Sequence, residues 1–86
     1  MSNKAYVKGR AKEYRVCRRL EKEGYEIVQR TAGSHSPIDV IAIHKITRTI
    51  LFVQAKPSSM SEAAKGRIEE DNKWLNGTFP CEFVVE

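Results

Sequence analysis

Polar and apolar positions follow the period of an α-helix over residues 7–23. Side chains three and four positions apart share one face of the predicted helix. That face carries a carboxylate among apolar groups, and its members are Glu13, Val16, Cys17 and Leu20. Gly24 comes directly after the pattern and predicts the end of the helix. The first element is therefore an amphipathic helix with one acidic group on the side turned toward the core.

Three strand-like runs follow this helix, over residues 25–30, 38–43 and 50–56. The second and third runs are continuously rich in Val, Ile, Leu and Phe. That composition is typical of strands buried on both faces.

A second helix and a last strand are predicted in the remainder of the chain. The segment from Ser59 to Glu62 has the spacing of a capping box. It predicts a helix that reaches about residue 76, with Gly77 as its stop, and residues 81–85 form a final strand-like run. The predicted order is α-β-β-β-α-β, an α+β fold class in which helices flank a small mixed sheet.

The length and composition narrow the class of protein further. Eighty-six residues suffice for one domain, residues 1–86, which buries about two-thirds of the surface of its unfolded chain. No apolar run exceeds four residues, which excludes a transmembrane helix and the apolar centre of a secretory signal. We expect an intracellular, cytoplasmic chain. Cys17 and Cys81 are expected to be free thiols, although a disulfide in a protein from a very hot environment stays open.

Basic residues are concentrated at the start of the chain, whose net charge is +4. Residues 1–30 hold nine basic and four acidic side chains and so carry a charge of +5. Five of these cations form a second stripe along the predicted helix, at Lys8, Lys12, Arg15, Arg19 and Lys22. Neighbouring like charges repel, and phosphate groups would neutralise them. On charge alone, a nucleic acid, an anionic membrane and a merely solubilising surface are all compatible with this stripe.

The second and third strand-like runs have the symmetry of a β-hairpin centred on residues 46–47. In that register, Ile43 faces Ile50 and Asp39 faces Gln54. Directly opposed residues of antiparallel strands point to the same side of the sheet. Lys56 lies two residues beyond Gln54 and points to that side too. The register therefore predicts that Asp39, Gln54 and Lys56 converge at one end of two apolar strands.

This polar cluster has the chemistry of a metal-assisted site. Carboxylate oxygens of Asp39 and Glu13 suit Mg²⁺ or Mn²⁺, and the amide oxygen of Gln54 is a further, uncharged ligand. The ammonium group of Lys56 would stabilise developing charge on a phosphoryl group or hold the attacking water. Purely structural roles are the alternative: Asp39 after Pro37 would cap a turn, and Lys56 would end a strand.

The chain resembles the PD-(D/E)xK nuclease superfamily and, within it, the archaeal-type Holliday-junction resolvases, because similar residues follow one another in the same order. The resemblance covers residues 8–57. It is carried by KGRAKE at 8–13, GY at 24–25, Arg30, GS at 33–34, SPID at 36–39 and VQAK at 53–56. It implies a restriction-endonuclease-like core and hydrolysis of DNA phosphodiesters with Mg²⁺, for which Mn²⁺ substitutes.

The resemblance also implies roles for individual residues. Asp39 would be the principal metal ligand, with the side chain of Gln54 and the carbonyl of Ala55 completing the shell. Glu13 would bind the metal or its water, and Lys56 would assist the nucleophile. Ser34 would be an active-site contact, because the glycine-serine segment approaches the DNA backbone in these resolvases.

The resemblance further implies a symmetric homodimer that acts on a four-way DNA junction and binds no membrane. The residues expected to contact DNA are Lys8, Arg10, Lys12, Arg15, Arg19, Arg30 and Gly33. The chain is then a cytoplasmic protein of a cell, or a virus-encoded one that acts inside the host cell.

Gln54 departs from the family pattern, which has a carboxylate at this position. The neutral amide removes one negative charge from the expected metal site and favours one ion over two. Two alternatives stay open. One is a compact virus-type nuclease that cuts flaps, splayed ends or duplex DNA. The other is a catalytically inactive DNA-binding module.

Overall fold

Two α-helices and one antiparallel sheet form the fold of the residues that the structure describes. The computed structural model describes residues 4–31 and 35–86, and side chains from residue 10 onward within those ranges. The elements are α1 (Lys4–Lys22), β1 (Ile27–Arg30), β2 (Val40–His44), β3 (Thr49–Val53), α2 (Glu62–Asp71) and a short 3-10 helix (Lys73–Leu75). The strands are ordered β1-β2-β3, with β2 in the centre. The predicted α+β class is confirmed.

Helix α1 ends where the sequence predicts, at the glycine. Gly24 has a φ of +100°, a conformation that costs glycine little because it has no Cβ. The N–H of Tyr25 donates to the carbonyl of Leu20 (3.1 Å), and the N–H of Gly24 donates to that of Glu21 (3.1 Å). This pair of bonds is a Schellman motif, which satisfies the carbonyls of the last turn and directs the chain into β1.

The predicted hairpin register is confirmed. Strands β2 and β3 pair with Ile43 opposite Ile50 and Val40 opposite Val53. Strand β1 pairs with the other edge of β2, where Arg30 lies opposite Val40. The register is well specified because a slip by one residue would turn the buried side chains of β2 to the other face.

The core lies between α1 and one face of the sheet. Leu20, Val40 and Ala42 are fully buried and Val16 is nearly so, while Leu51 is partly buried against them. The opposite face is more open: Ile27 is 47% exposed and Ile50 is 41% exposed. The expectation of strands buried on both faces is thus wrong, because α1 covers one side of the sheet and α2 contributes no buried residue.

Helix α2 differs from its prediction at both ends. Its N-cap is Ser61, whose hydroxyl accepts a hydrogen bond from the N–H of Ala64 (3.1 Å), and not Ser59. The helix ends at Asp71, because the Asn72 side chain donates to the carbonyl of Ile68 (2.9 Å). A 3-10 turn then replaces the predicted continuation to residue 76. With no buried face, α2 depends on these local caps for its length.

The predicted last strand is wrong. Residues 81–85 belong to no strand, and Phe83 and Val85 are 90% and 85% exposed. A segment with strand-forming composition gains little by forming a strand when it has no neighbouring strand to pair with and no face to bury. Without this element the sheet, as described, is antiparallel throughout and not mixed. Within residues 4–31 and 35–86, no helix is long and apolar enough to cross a bilayer.

Both cysteines are free thiols, as expected. Cys17 packs against the core, and burial raises the pKa of its thiol, with the nearby carboxylate of Glu21 acting in the same direction. Cys81 is exposed. Because the thiolate is the reactive species, we predict that a disulfide reagent such as DTNB modifies Cys81 first and Cys17 at least about tenfold more slowly. A Cys81→Ser control should retain only the slow phase; a fast phase in that variant would contradict the described burial of Cys17.

Candidate functional site

The backbone of Asp39 is held between the two outer strands, at the start of β2. Its N–H donates to the carbonyl of Val53 (2.7 Å), and its carbonyl accepts from the N–H of Thr31 (3.0 Å). These bonds continue the two ladders by one step beyond the strands. These backbone hydrogen bonds to both neighbouring strands fix the position of Asp39, which therefore does not lie in an unpaired loop.

The side chain of Asp39 meets the segment after β3. Its Oδ2 atom accepts a hydrogen bond from the N–H of Ala55 (2.9 Å). Ala55 stands between Gln54 and Lys56, so the structure brings Asp39 to the tripeptide that the hairpin register indicates. The Ala55 group that contacts the carboxylate is the N–H, whereas the sequence interpretation assigned the carbonyl to a metal.

Gln54 has a buried acceptor. Its Oε1 atom is shielded from solvent and has no hydrogen-bond partner among the residues that the structure describes. A buried carbonyl oxygen without a donor costs about 1–3 kcal/mol of stability. A buried polar atom without a partner needs an explanation, and a donor or a cation bound from outside is one that would satisfy this oxygen.

Glu13 has a different partner from the one expected. Its Oε1 atom accepts from the Nε–H of Arg30 (2.9 Å), and both side chains are only about one-fifth exposed. Glu13 makes no described hydrogen bond to Asp39, Gln54 or Lys56. Arg30 and Val40 point to the same side of the sheet, which is the side covered by α1. The Arg30 side chain therefore contacts Glu13, whose carboxylate points inward from that helix.

Tyr14 is a further partner of Arg30, and its role was not predicted from the sequence. The Arg30 guanidinium lies 4.7 Å from the centre of the Tyr14 ring, and its Nη1 donates to the phenol oxygen (3.3 Å). The hydrogen bond to Glu13 raises the pKa of Arg30 further above its ordinary value, so the group is permanently charged. Arg30 lies on the same face of β1 as Val28, the face that packs against α1. A cation on that face needs an anion on the helix, and this pattern in the sequence could have indicated the ion pair.

Lys56 is half-buried and lies with Gln54 and Ala55 along a cleft beside β3. Within the described residues it forms no hydrogen bond or ion pair. Its ammonium group is therefore available to a ligand in the cleft, a role compatible with phosphate recognition.

The structure describes only some of the side chains that are predicted to contact DNA. Arg10, Arg15 and Arg19 are exposed on α1, and Lys12 is half-buried. Arg19 forms an exposed ion pair with Glu23 (2.8 Å). Gly33, Ser34 and the side chain of Lys8 lie outside the described residues.

The donor groups that fit a divalent cation are the carboxylate of Asp39 and the buried amide oxygen of Gln54. Both are hard oxygen ligands of the kind that Mg²⁺ and Mn²⁺ prefer. Glu13 is held by Arg30, and no group of three or more His, Cys, Asp or Glu residues in the described part of the chain is placed to hold a metal. Asp39 and Gln54 are thus the two expected oxygen ligands that no other described side chain holds, and two such ligands, only one of them charged, would bind a cation weakly.

Comparison with known proteins adds no relative to this picture. No protein-family model, no curated protein and no solved structure matches the chain.

Proposed function

We propose that this chain is a metal-dependent, structure-selective DNA endonuclease with a restriction-endonuclease-like core, acting as a homodimer on four-way junctions. The observation that supports it best is the hydrogen bond between Asp39 and Ala55. It joins a carboxylate to the Gln54–Lys56 segment at one end of the central hairpin. The Oε1 atom of Gln54, which is buried and has no hydrogen-bond partner among the described residues, supports the same interpretation.

In this proposal Asp39 and Gln54 hold Mg²⁺, and Lys56 faces the phosphate. The ion, when bound, supplies a water nucleophile near neutral pH and offsets negative charge on the phosphoryl group. Lys56 donates hydrogen bonds to a phosphate oxygen and stabilises the charge that develops there. The exposed cations of α1 hold the neighbouring backbone phosphates and so orient the duplex arms.

The Glu13–Arg30 pair has a positioning role in this scheme. Three of the five N–H groups of Arg30 are not used by Glu13 or Tyr14 within the described residues. A guanidinium fixed by a carboxylate and a ring keeps its remaining donors in one orientation, which suits contact with a phosphate.

The test is cleavage of a labelled four-way junction, with duplex, flap and single-strand substrates at matched salt. We expect paired nicks in the junction in Mg²⁺ and none in EDTA. Preferential cutting of flaps or duplex would indicate the compact virus-type nuclease. Matched salt is essential because phosphate contacts make affinity strongly salt-dependent.

A DNA-binding module without catalysis is the second candidate. The Glu13–Arg30 ion pair favours it, because it leaves a single carboxylate for a metal, and so does the neutral amide at Gln54. Tight junction binding with no cutting in either Mg²⁺ or Mn²⁺ would establish this candidate and exclude the nuclease.

Gln54→Glu provides a test of the metal site that does not require activity. Because the Oε1 position is buried, a carboxylate there should lower the melting temperature in EDTA by about 5–10 °C. Excess Mg²⁺ should restore most of that loss, since the ion pairs the buried charge. The measurement is thermal unfolding followed by circular dichroism.

The matched control is Gln29→Glu, which makes the same change at an exposed position of β1. Its melting temperature should stay within about 2 °C of the parent chain in both buffers. An equal response of both variants to Mg²⁺ would rule out a metal bound at Gln54.

A further inference from the structure

The face of the sheet that is turned away from α1 carries an apolar hollow. Ile27, Ile43 and Ile50 lie directly opposite one another on the three strands, so their side chains share this face. They line a hollow of about 430 Å³, and none of its lining residues belongs to a described helix. The described part of the chain therefore leaves this apolar surface uncovered.

An exposed apolar segment begins at the edge of the same hollow. Cys81 is one of the lining residues. Phe83, two positions further on, is 90% exposed, and Val84 and Val85 are exposed beside it. The chain thus contacts the hollow at Cys81 and leaves the phenylalanine ring outside it. Apolar groups that are exposed together mark interaction surfaces, and here one chain carries both a hollow and a side chain suited to fill it.

We propose that this hollow is an interface between two copies of the chain, in which residues 81–86 of one copy lie across the hollow of the other and Phe83 fills it. In an extended segment Phe83 and Val85 point to the same side, so both can pack against the isoleucines. Because the segment starts at its own hollow, a two-fold axis beside Cys81 places each segment over the other copy, and both contacts form together.

The charges of the two surfaces are complementary. With His44 neutral, the lining of the hollow has two basic side chains and one acidic side chain, a net charge of +1. Residues 81–86 carry a charge of −2, from Glu82 and Glu86. A second copy of this chain therefore supplies an apolar segment whose acidic flanks match the hollow.

The area of the contact indicates a weak dimer. Burying one aromatic side chain removes about 150–250 Å² from water. Two copies of Phe83, with the surfaces that they cover, therefore bury about 600–1,000 Å², which is less than a standard interface of about 1,600 Å². We expect a Kd of about 10–100 µM. The proposed function includes a homodimer without assigning its surface, and the interface described here does not depend on nuclease activity.

Analytical ultracentrifugation in EDTA, without DNA, tests this surface. We expect a reversible monomer–dimer equilibrium in the parent chain. Phe83→Ser should raise the Kd at least about tenfold, because it removes the ring from both contacts of the dimer. Ile27→Thr keeps a β-branched side chain in β1 but makes the hollow more polar, and should raise the Kd about fivefold.

The matched control is Trp74→Ser. Trp74 is also an exposed aromatic residue, but it is not among the residues that line the hollow. The Kd of this variant should stay within about twofold of that of the parent chain.

Photo-cross-linking identifies the copy that the segment contacts. Benzoylphenylalanine is incorporated in place of Phe83, and isotope-labelled and unlabelled copies are mixed in equal amounts before irradiation. We expect peptides with mixed labels that join position 83 of one copy to β1 or to the β2–β3 hairpin of the other. Cross-links confined to one copy would show that the segment folds back over its own hollow, and would overturn the proposal.

A parent chain that sediments as a monomer at about 500 µM, well above the expected Kd, would also reject the interface, as would an unchanged Kd in Phe83→Ser. Phe83 is almost fully exposed, so loss of the fold does not explain a weaker dimer, and an unchanged circular dichroism spectrum verifies this. These measurements use neither Mg²⁺ nor DNA. Failure of the junction-cleavage assay would leave them intact, and junction cutting by a dimer that is insensitive to Phe83→Ser would reject this interface alone.

Discussion

Cleavage of a four-way junction by the Asp39→Asn and Lys56→Ala variants is expected to fall by about 100-fold or more. Junction binding should stay within a few-fold of that of the unmodified chain, because the α1 cations are untouched. Asp39→Asn removes the charge that would hold the metal. Lys56→Ala removes the donor that would stabilise charge on the phosphate. The measurement is the rate of nicking at saturating protein in excess Mg²⁺, with binding followed separately in EDTA.

The structure makes these two substitutions interpretable. Asparagine keeps an oxygen that can accept the hydrogen bond from Ala55 N–H, so the contact between the start of β2 and the segment after β3 should persist. Lys45→Ala is the matched control for Lys56→Ala, because Lys45 is exposed at the opposite end of the hairpin. Normal cutting by both site variants would show that the site is assigned to the wrong residues. Loss of binding together with cutting would indicate a role in DNA recognition and not in chemistry.

Leu20→Ala is expected to lower the free energy of unfolding by about 3 kcal/mol, within the range of 2–5 kcal/mol typical of buried leucines. Leu20 is fully buried against Val16, Val40 and Ala42, which are the other buried residues of the described core. Small domains have a total stability of about 5–15 kcal/mol, so the loss is a large part of it. Urea denaturation should show a lower midpoint with an unchanged slope.

The control for Leu20→Ala is Ile46→Ala in the β2–β3 turn, where the side chain is 77% exposed. This change should alter the free energy of unfolding by less than about 0.5 kcal/mol. Equal losses in the two variants would contradict a core built between α1 and one face of the sheet.

The local elements could be predicted because their determinants lie close together in sequence. The inward stripe of α1 and its end at Gly24 follow from helical periodicity and from the conformational freedom of glycine. The register of β2 and β3 follows from two apolar runs of equal length on either side of a short turn. That register places Asp39 opposite Gln54, and the bond between Asp39 and Ala55 agrees with it.

Elements that need long-range partners were harder to predict. Residues 81–85 have strand-forming composition, yet no strand in the described part of the chain pairs with them, and Phe83 stays exposed. Helix α2 has a clear N-cap signal, but without a buried face its end is decided by Asn72. Propensity sets what a segment can form, and packing decides whether it forms.

The sequence by itself determined the α+β class, the inward face of α1, the hairpin register and the basic character of the first thirty residues. Only the tertiary structure decided that Glu13 pairs with Arg30, that Gln54 Oε1 is buried without a hydrogen-bond partner among the described residues, and that Lys56 lines a cleft beside β3. Periodicity and turn residues act over a few positions, so they can be read along the chain. Ion pairs, burial and clefts join residues far apart in sequence, and their energies depend on distances that exist only after the chain has folded.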